Sequence, residues 1–387
     1  MDTQKLDQTY IANTYARFPV TIVKGKGSLV WDDTGKEYID LSTGIAVDIF
    51  GVADEEWMAA VTKQLGTLQH ISNLYYTEPC VKLAQMLCEK TGMKKVFFGN
   101  SGAEANECAI KAARKWSEEK KGKDYSTIIT LKNSFHGRTI TTLAATGQDV
   151  FHHDFTPLTE GFVYAEPNDL ADLEQLIKAN KCAAVMMEVV QGEGGVMPLD
   201  EAYVKGAAKL CEQYDLLLIC DEVQVGNGRS GKLYGYMHYG VQPDIVSTAK
   251  GLAGGLPLGA TLLGEKVQDV LTAGTHGSTF GGNPVCCAGA INVLSRLDEK
   301  MLEGVEERSA YIKQELAGAK GVLGVTGLGL MLGIQTEKNA SDIIAACREK
   351  GVLVIKAKDK LRLLPALNIP MEQLQKAVAV IKACCAE

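Results

Sequence analysis

The sequence lacks the features that would place it in a membrane or outside the cell. No stretch approaches the roughly 18 consecutive apolar residues that a membrane-spanning helix requires. The first six residues, MDTQKL, do not contain the apolar core of a signal peptide. The 387 residues carry a formal net charge of −7, which disfavours nucleic acid or an acidic membrane surface as a partner. These absences predict a cytoplasmic protein.

Cysteine is present, but the spacings typical of redox-active pairs and zinc sites are absent. Eleven cysteines occur without any C-x-x-C pair, and the adjacent pairs Cys286-Cys287 and Cys384-Cys385 do not have the spacing of zinc ligands. Other cysteines lie in apolar helix or strand patterns, where free thiols behave as small core residues: Cys108, Cys182, Cys211 and Cys220. The sequence therefore predicts a reducing compartment and no metal site.

Length and composition favour a globular protein of more than one domain. The chain is longer than a typical domain, and its 46% hydrophobic and 22% charged content is sufficient for a large core. Strand-like and helix-like segments alternate from about residue 95 to 265, which is typical of βαβ units. We expect an α/β protein with an amino-terminal segment (1–45) that belongs to a smaller α+β domain, a large domain (46–284) and the carboxyl-terminal part of the small domain (285–387).

Two charged residues follow buried strands of the predicted sheet. Asp221 ends the apolar run from Leu216, and Lys250 follows the run from Asp244 to Ala249, directly before a glycine-rich turn. Such residues face the crevice where open α/β sheets bind ligands. A lysine can form a Schiff base with the aldehyde of pyridoxal phosphate, and an aspartate can keep the pyridine nitrogen protonated. The pair predicts a pyridoxal phosphate site, although a single lysine after a strand is usually just a solvated residue.

A small-residue turn precedes the first helix of this region. The turn from Gly99 to Ala103 lies between a strand and a helix, so backbone N–H groups and the positive end of the helix dipole are available to a phosphate. Ser101 adds a hydroxyl donor, or it only caps the helix. The G-x-G-x-x-G spacing of dinucleotide sites is absent here.

Several blocks of the sequence resemble the class III aminotransferases. They are Gly99 to Glu107, Phe135 to Thr139, Asp221 to Gln224, Lys250 to Leu252 and Gly277 to Pro284. Within this family the acetylornithine aminotransferases are most similar, through Gly44 to Val47, His70 to Tyr75 and Gln191 to Gly195. The resemblance implies transfer of the terminal amino group of N-acetylornithine to 2-oxoglutarate. It also implies fold type I, with a mixed seven-stranded sheet, and a homodimer whose cofactors lie at the subunit interface.

The resemblance assigns the cofactor contacts residue by residue. Lys250 would be the Schiff-base lysine, and Asp221 the partner of the pyridine nitrogen. Gln224 would bind the phenolic oxygen, and Phe135 would stack on the ring. The phosphate would be bound by Ser101, Gly102 and Ala103, and by Thr279 of the neighbouring subunit. Glu222 and Val223, which follow Asp221 in the same block, would also contact the cofactor.

The substrate contacts are assigned in the same way. Arg138 would bind a substrate carboxylate through its guanidinium fork, and Ser278 would contact substrate across the interface. Glu193 and Arg362 would form a switchable ion pair that lets one pocket accept two unlike substrates. Ile45 stands where ornithine aminotransferases have a tyrosine, and it would provide an apolar wall for the acetyl group.

The sequence departs from the family at one turn, and other functions stay open. Relatives read Gly-His-x-His-Pro where this chain has Gly51 to Trp57, which leaves the substrate less certain than the chemistry. The same chemistry could act on ornithine, a succinylated diamino acid or 4-aminobutyrate. A cofactor-free Schiff-base lysine enzyme would usually need eight similar βα units, and a binding protein without activity is disfavoured because Lys250 and Asp221 are both present.

Overall fold

Short strands and helices alternate along the chain, which a computed structural model describes from residue 2 to residue 387. The strands are β1 (Ile22–Lys26), β2 (Leu29–Asp32), β3 (Glu37–Asp40), β4 (Lys95–Gly99), β5 (Thr127–Leu131), β6 (Phe162–Ala165), β7 (Cys182–Met187), β8 (Val190–Gln191), β9 (Met197–Pro198), β10 (Leu217–Asp221), β11 (Ile245–Thr248), β12 (Gly259–Leu263), β13 (Val322–Leu328), β14 (Met331–Thr336), β15 (Val352–Leu353), β16 (Ile355–Ala357) and β17 (Lys360–Leu363).

The helices include one very short element near the amino terminus and long helices in the carboxyl-terminal part. They are α1 (Thr3–Tyr10), α2 (Thr43–Ala46), α3 (Glu55–Leu65), α4 (Glu78–Thr91), α5 (Gly102–Lys121), α6 (Ile140–Ala145), α7 (Leu170–Ala179), α8 (Glu201–Gln213), α9 (Pro284–Arg296), α10 (Glu299–Leu316), α11 (Ala340–Glu349) and α12 (Met371–Ala386). Among residues 2–387, no helix is long and apolar enough to cross a membrane.

A mixed seven-stranded sheet forms the centre of the large domain, as predicted. Its order is β4-β12-β11-β10-β7-β5-β6, and β12 runs antiparallel to both of its neighbours. Every residue of β7, β10 and β11 is buried, because helices cover both faces of the sheet. The parallel register aligns Asp221 with Ser247, so the residues that follow β10 and β11 emerge at the same edge.

Helix α5 begins at this edge and then packs against the sheet. Its apolar positions recur at helical spacing and form a buried inner face: Ala105, Cys108, Ala109, Ala112 and Trp116. The Ser101 hydroxyl caps the helix by accepting a hydrogen bond from the backbone N–H of Glu104 at 3.1 Å. The sequence pattern thus orients the helix with its amino terminus in the crevice.

Two smaller sheets involve the ends of the chain. One contains β13-β14-β17-β16, and the other contains β1-β2-β3-β15, in which β15 pairs with β3 in parallel. This pairing joins the amino-terminal strands to the carboxyl-terminal region. On this basis we propose the division into residues 1–45 with 285–387, and residues 46–284.

A buried arginine links the small and large parts of the molecule. Arg229 follows β10 by a short loop, and its guanidinium donates hydrogen bonds to the carbonyl oxygens of Leu330, at 3.3 Å, and of Pro365. Burial lowers the pKa of Arg229 to about 9. Thr43 adds a second link, since its hydroxyl donates to the carbonyl of Leu364 at 2.6 Å. These contacts hold β17, and therefore Arg362, beside the large sheet.

Candidate active site

Lys250 lies in the crevice just past β11. It begins a short 3-10 turn, and its backbone φ of +49° is in the left-handed region that side chains other than glycine rarely adopt. No residue among 2–387 accepts a hydrogen bond from its amine. Burial lowers the pKa of Lys250, and the neighbouring charges of Glu193 and Asp221 only partly oppose this. A larger neutral fraction makes the amine a better nucleophile.

Asp221 is held by three hydrogen bonds at the end of β10. Its Oδ2 accepts from Asn106 Nδ2 at 2.8 Å and lies 2.7 Å from His136 Nδ1, while Oδ1 accepts from the backbone N–H of Val223 at 3.0 Å. The carboxylate is almost fully buried. A carboxylate that is fixed in this way can hold a protonated ring nitrogen. Asn106 and His136 both lie within blocks shared with the family, but neither was predicted from the sequence to contact cofactor or substrate.

Three turns meet around the amino terminus of α5. A Cβ added to Gly102 would lie 2.6 Å from Val223 Cγ1, so only glycine fits there. A Cβ added to Gly137 would likewise lie only 3.0 Å from the methyl group of Ala103. The Ser101 hydroxyl accepts a hydrogen bond only from the N–H of Glu104. The earlier N–H groups of the first turn are therefore available to an anion. Ser101 therefore caps the helix at a place where phosphate could also bind.

A buried glutamate that the sequence did not single out joins two active-site loops. Glu188 Oε1 accepts from the backbone N–H of Phe135 at 2.9 Å, and Oε2 accepts from that of Gly192 at 3.3 Å. Burial raises the pKa of Glu188 to about 7, although the charge of His136 opposes this rise. Glu188 thereby fixes the backbone next to Glu193 relative to the ring of Phe135.

Arg138 is exposed and is in contact with two aromatic rings. Its Cζ lies 4.2 Å from the ring centroid of Phe151 and 5.6 Å from that of Phe135. No acidic side chain of residues 2–387 forms an ion pair with it. Phe151 was not predicted as a site residue.

Glu193 and Arg362 are in direct contact although 169 positions separate them. Arg362 Nη1 lies 2.5 Å from Glu193 Oε1 and donates to Gln224 Oε1 at 3.0 Å. Burial opposes ionisation of Glu193, but the charge of Arg362 and its hydrogen bond lower the pKa of Glu193 overall. The Glu193 carboxylate is therefore ionised at neutral pH.

The side chain of Glu222 is directed away from this cluster. Both of its carboxylate oxygens accept hydrogen bonds from backbone N–H groups, of Gly235 at 2.7 Å and of Tyr236 at 2.8 Å. Burial raises the pKa of Glu222 to about 8 in spite of these two bonds. Only its main chain is left to contact a cofactor.

Ser278 and Thr279 lie on the outer side of the α5 turn. Ser278 Oγ accepts from Asn100 Nδ2 at 3.2 Å. Thr279 lines a separate recess of about 140 Å³ together with His70 and Tyr75. Within residues 2–387, no hydrogen bond joins Thr279 to the phosphate turn of its own chain.

The loop that carries Ile45 and the unusual turn after it both contact the short turn that begins at Lys250. Ile45 is partly exposed, and its φ of +65° is in the left-handed region. In the following turn Asp54 caps α3 by accepting from the N–H of Trp57, whose indole Nε1 donates to the carbonyl of Ala253 at 3.0 Å. The Gly51 to Trp57 departure thus supports the turn that begins at Lys250.

The residues present fit pyridoxal phosphate. They provide an amine without a hydrogen-bond acceptor, a buried carboxylate fixed in position, and a helix start with free N–H groups. Among residues 2–387, no group of three or more His, Cys, Asp or Glu side chains is placed to hold a metal ion. This fold and this site define a pyridoxal phosphate-dependent transferase of fold type I.

Comparison with known proteins narrows the class to one family. The family described as aminotransferase class-III matches residues 10–385. The acetylornithine aminotransferase of Haemophilus ducreyi is 49% identical over 99% of this chain and 98% of its own length. The succinylornithine transaminase of Salmonella newport is 43% identical over 97% and 94%. The crystal structure of Toxoplasma gondii ornithine aminotransferase superposes with a TM-score of 0.95 at 33% identity, covering 99% of this chain and 94% of that one. The chain therefore belongs to the class III aminotransferases, whose cofactor is pyridoxal phosphate.

Proposed function

We propose that the enzyme transfers the terminal amino group of N2-acetyl-L-ornithine to 2-oxoglutarate, giving N-acetylglutamate 5-semialdehyde and glutamate, as in arginine biosynthesis. One observation carries the proposal: Arg138 is unpaired, whereas Arg362 is neutralised by Glu193. Arg138 is thus available to an amino donor with one carboxylate, and Arg362 can bind the second carboxylate of a dicarboxylate when it leaves Glu193. The name of the H. ducreyi relative supports the same donor.

The chain's own residues divide the chemistry among them. Bound pyridoxal phosphate supplies an electron sink for the bond broken at the amino-bearing carbon. Ser101, Gly102 and Ala103 would hold its phosphate, and Asp221 would keep its ring nitrogen protonated. The Lys250 amine would attach the cofactor and then carry the proton away from the amino-bearing carbon, a task suited to an amine whose pKa is lowered by burial.

Other residues would fix the ring and the substrate. Phe135 and Val223 would contact the two faces of the cofactor ring, and Gln224 would bind its phenolic oxygen while staying bonded to Arg362. The main chain of Glu222 would complete the cofactor loop. Arg138 would bind the donor carboxylate, so that the terminal amine points toward Lys250.

The Glu193–Arg362 pair would adapt the pocket to each substrate in turn. With acetylornithine bound, Glu193 would keep Arg362 neutralised. With glutamate bound, Arg362 would leave Glu193 and take the α-carboxylate while Arg138 binds the other carboxylate. Breaking a paired charge without a new partner is unfavourable, so the pair should open only for a dicarboxylate.

Glu193→Ala should shift the enzyme toward glutamate. Without Glu193, Arg362 is permanently available, which aids a dicarboxylate but leaves an extra cation beside the acyl chain of acetylornithine. We expect the ratio of the glutamate to the acetylornithine half-reaction rate to rise by roughly tenfold, the size of a removed charged hydrogen bond. Stopped-flow absorbance measures both rates.

A surface ion pair provides the control for this variant. Glu265→Ala removes the partner of Lys94 at the edge of the sheet opposite the crevice and should leave the ratio unchanged. Equal losses in both half-reactions of Glu193→Ala would contradict the switch.

Exposed apolar residues support a homodimer with shared sites. Leu74 is 86% exposed and Tyr76 is fully exposed, and both lie near the recess that Thr279 lines. An apolar surface of this kind is typical of an interface. We infer that a second copy covers it, so that Thr279 reaches the neighbour's phosphate and Ser278 the neighbour's substrate. Sedimentation of the parent enzyme as an active monomer would contradict this.

The cytoplasm is the compartment we propose. All eleven cysteines are free thiols, and most of them are buried. Free thiols persist where the environment is reducing.

The donor preference is the experiment that tests the proposed function. Ile45 cannot hydrogen-bond the free α-amino group of ornithine, but it offers an apolar surface to the acetyl methyl. Each effect is worth on the order of 1–2 kcal/mol. We therefore expect kcat/KM for acetylornithine to exceed that for ornithine by tens to hundreds of times, measured with 2-oxoglutarate as acceptor.

The same assay separates the remaining alternatives. A donor panel would include succinylornithine, succinyl-diaminopimelate and 4-aminobutyrate, and a preference for free ornithine would overturn the assignment while leaving transamination intact. The fold disfavours a cofactor-free Schiff-base lysine enzyme, because the central sheet is open and mixed and is not a barrel of eight βα units.

A further inference from the structure

The two arginines of the pocket are held in different ways. Arg362 is almost fully buried and is held by the carboxylate of Glu193. Arg138 is exposed, none of its guanidinium N–H groups donates a hydrogen bond within residues 2–387, and its contacts are the rings of Phe151 and Phe135. Long exposed side chains usually sample many rotamers. A residue that keeps Arg138 in place without neutralising it would therefore matter for binding.

Phe151 is itself fixed relative to the active-site loop. It ends the short 3-10 turn Asp149–Phe151 and is half-buried. Its ring meets that of Phe135 edge to face, with centroids 5.9 Å apart and planes at 71°. The turn is tied to the same loop, because Gln148 Nε2 donates to the carbonyl of Ser134 at 2.9 Å. Phe151 therefore moves with Phe135 rather than independently.

An aromatic ring suits this position better than an acidic side chain. A carboxylate would occupy the N–H groups of Arg138 and compete with the substrate for them. A ring attracts the cation through its negative face and supplies no oxygen acceptor. The N–H groups of the guanidinium then remain free for a bidentate bond to a carboxylate.

We propose that Phe151 is a positioning residue that holds the Arg138 guanidinium ready for the substrate carboxylate in both half-reactions. The proposal rests on the proposed function, in which Arg138 binds a carboxylate of either substrate. Because Phe151 acts on binding and not on proton transfer, its loss should appear in KM and not in kcat.

Phe151→Leu is the variant that tests this role. Loss of a cation–π contact at an exposed site weakens binding by roughly twofold to fivefold. We expect KM for acetylornithine and for glutamate to rise by this factor while kcat stays within about twofold of the parent. Calorimetric titration with glutarate, which has two carboxylates and no amino group, should show the same loss in affinity without any turnover.

Matched variants separate this role from a general effect on the fold. Phe151→Tyr keeps the aromatic ring and should have the same KM as the parent enzyme. Phe162→Leu removes a comparable ring, 5.0 Å from Arg114 Cζ and outside the crevice, and should leave KM unchanged. If Phe151→Leu melts early, Phe151→Met provides a flexible replacement of similar size without a ring, and it should show the same rise in KM.

A double-mutant cycle with Arg138→Met decides whether Phe151 acts through Arg138. In that background Phe151→Leu should have no further effect on KM or on glutarate affinity. An equal further loss, an unchanged KM in Phe151→Leu and Phe151→Met, or a fall in kcat alone would overturn the proposal. If Arg138→Met itself left KM and glutarate affinity unchanged, the carboxylate role of Arg138 in the proposed function would be wrong, which is a separate outcome.

Discussion

Replacing Lys250 with alanine should abolish transamination and leave a folded protein. The substitution removes the only amine that residues 2–387 place beside Asp221 and Glu193, and no other group of these residues there can both attach the cofactor and carry the proton. Alanine has a Cβ as lysine does, so the backbone at φ +49° is not strained further. We expect kcat to fall below detection, while sedimentation and thermal melting match the parent enzyme.

The control for Lys250→Ala is a lysine outside the crevice. Lys266 forms an ion pair with Asp244, near the opposite ends of β10 and β11, and Lys266→Ala should retain activity. Activity of Lys250→Ala within tenfold of the parent would show that another group is the attachment site.

The second large effect should follow from Asp221→Ala. Without this carboxylate the ring nitrogen has no anionic partner, and the buried Asn106 amide and His136 ring lose their acceptor. We expect kcat to fall by at least ~10²-fold, as when a positioned charge is removed from a site. Steady-state assays and the absorbance of bound cofactor measure the loss.

Asp244, directly before the neighbouring strand β11, is the matched control. Asp244 accepts from the backbone N–H of Leu218 at 2.9 Å, remote from the crevice, and Asp244→Ala should change kcat little even if stability falls. A similar loss of kcat in both variants would point to a general effect on the sheet rather than to the electron sink.

The sheet and its two charged residues could be predicted because their signals are local. The short apolar runs before Asp221 and Lys250 predicted buried strands, and parallel strands bring their carboxyl ends to one edge. The helix α5 after the small-residue turn was also predicted from the sequence near it. The resemblance to a known family, rather than spacing, led to Arg138 and to the Glu193–Arg362 pair.

The network around Asp221 could not be predicted because it depends on packing between distant segments. Asn106 comes from α5 and His136 from the loop after β5, and nothing in the pattern near either residue indicates a shared acceptor. Phe151 lies in a short irregular turn without periodicity. Glu222 follows Asp221 directly, but no local pattern indicates that its carboxylate binds the backbone N–H groups of Gly235 and Tyr236.

The pairing of β3 with β15 has a consequence for how the protein is made. Residue 39 lies beside residue 352 in this sheet, so β3 lacks its neighbour until most of the chain has been synthesised. At about 5–20 residues per second, the ribosome needs roughly 15–60 s to cover that interval. Throughout this time the edge of β3 presents unpaired backbone groups that another strand could capture. The nascent chain is therefore most exposed to misassembly at its amino-terminal strands, far from the residues that carry out the chemistry.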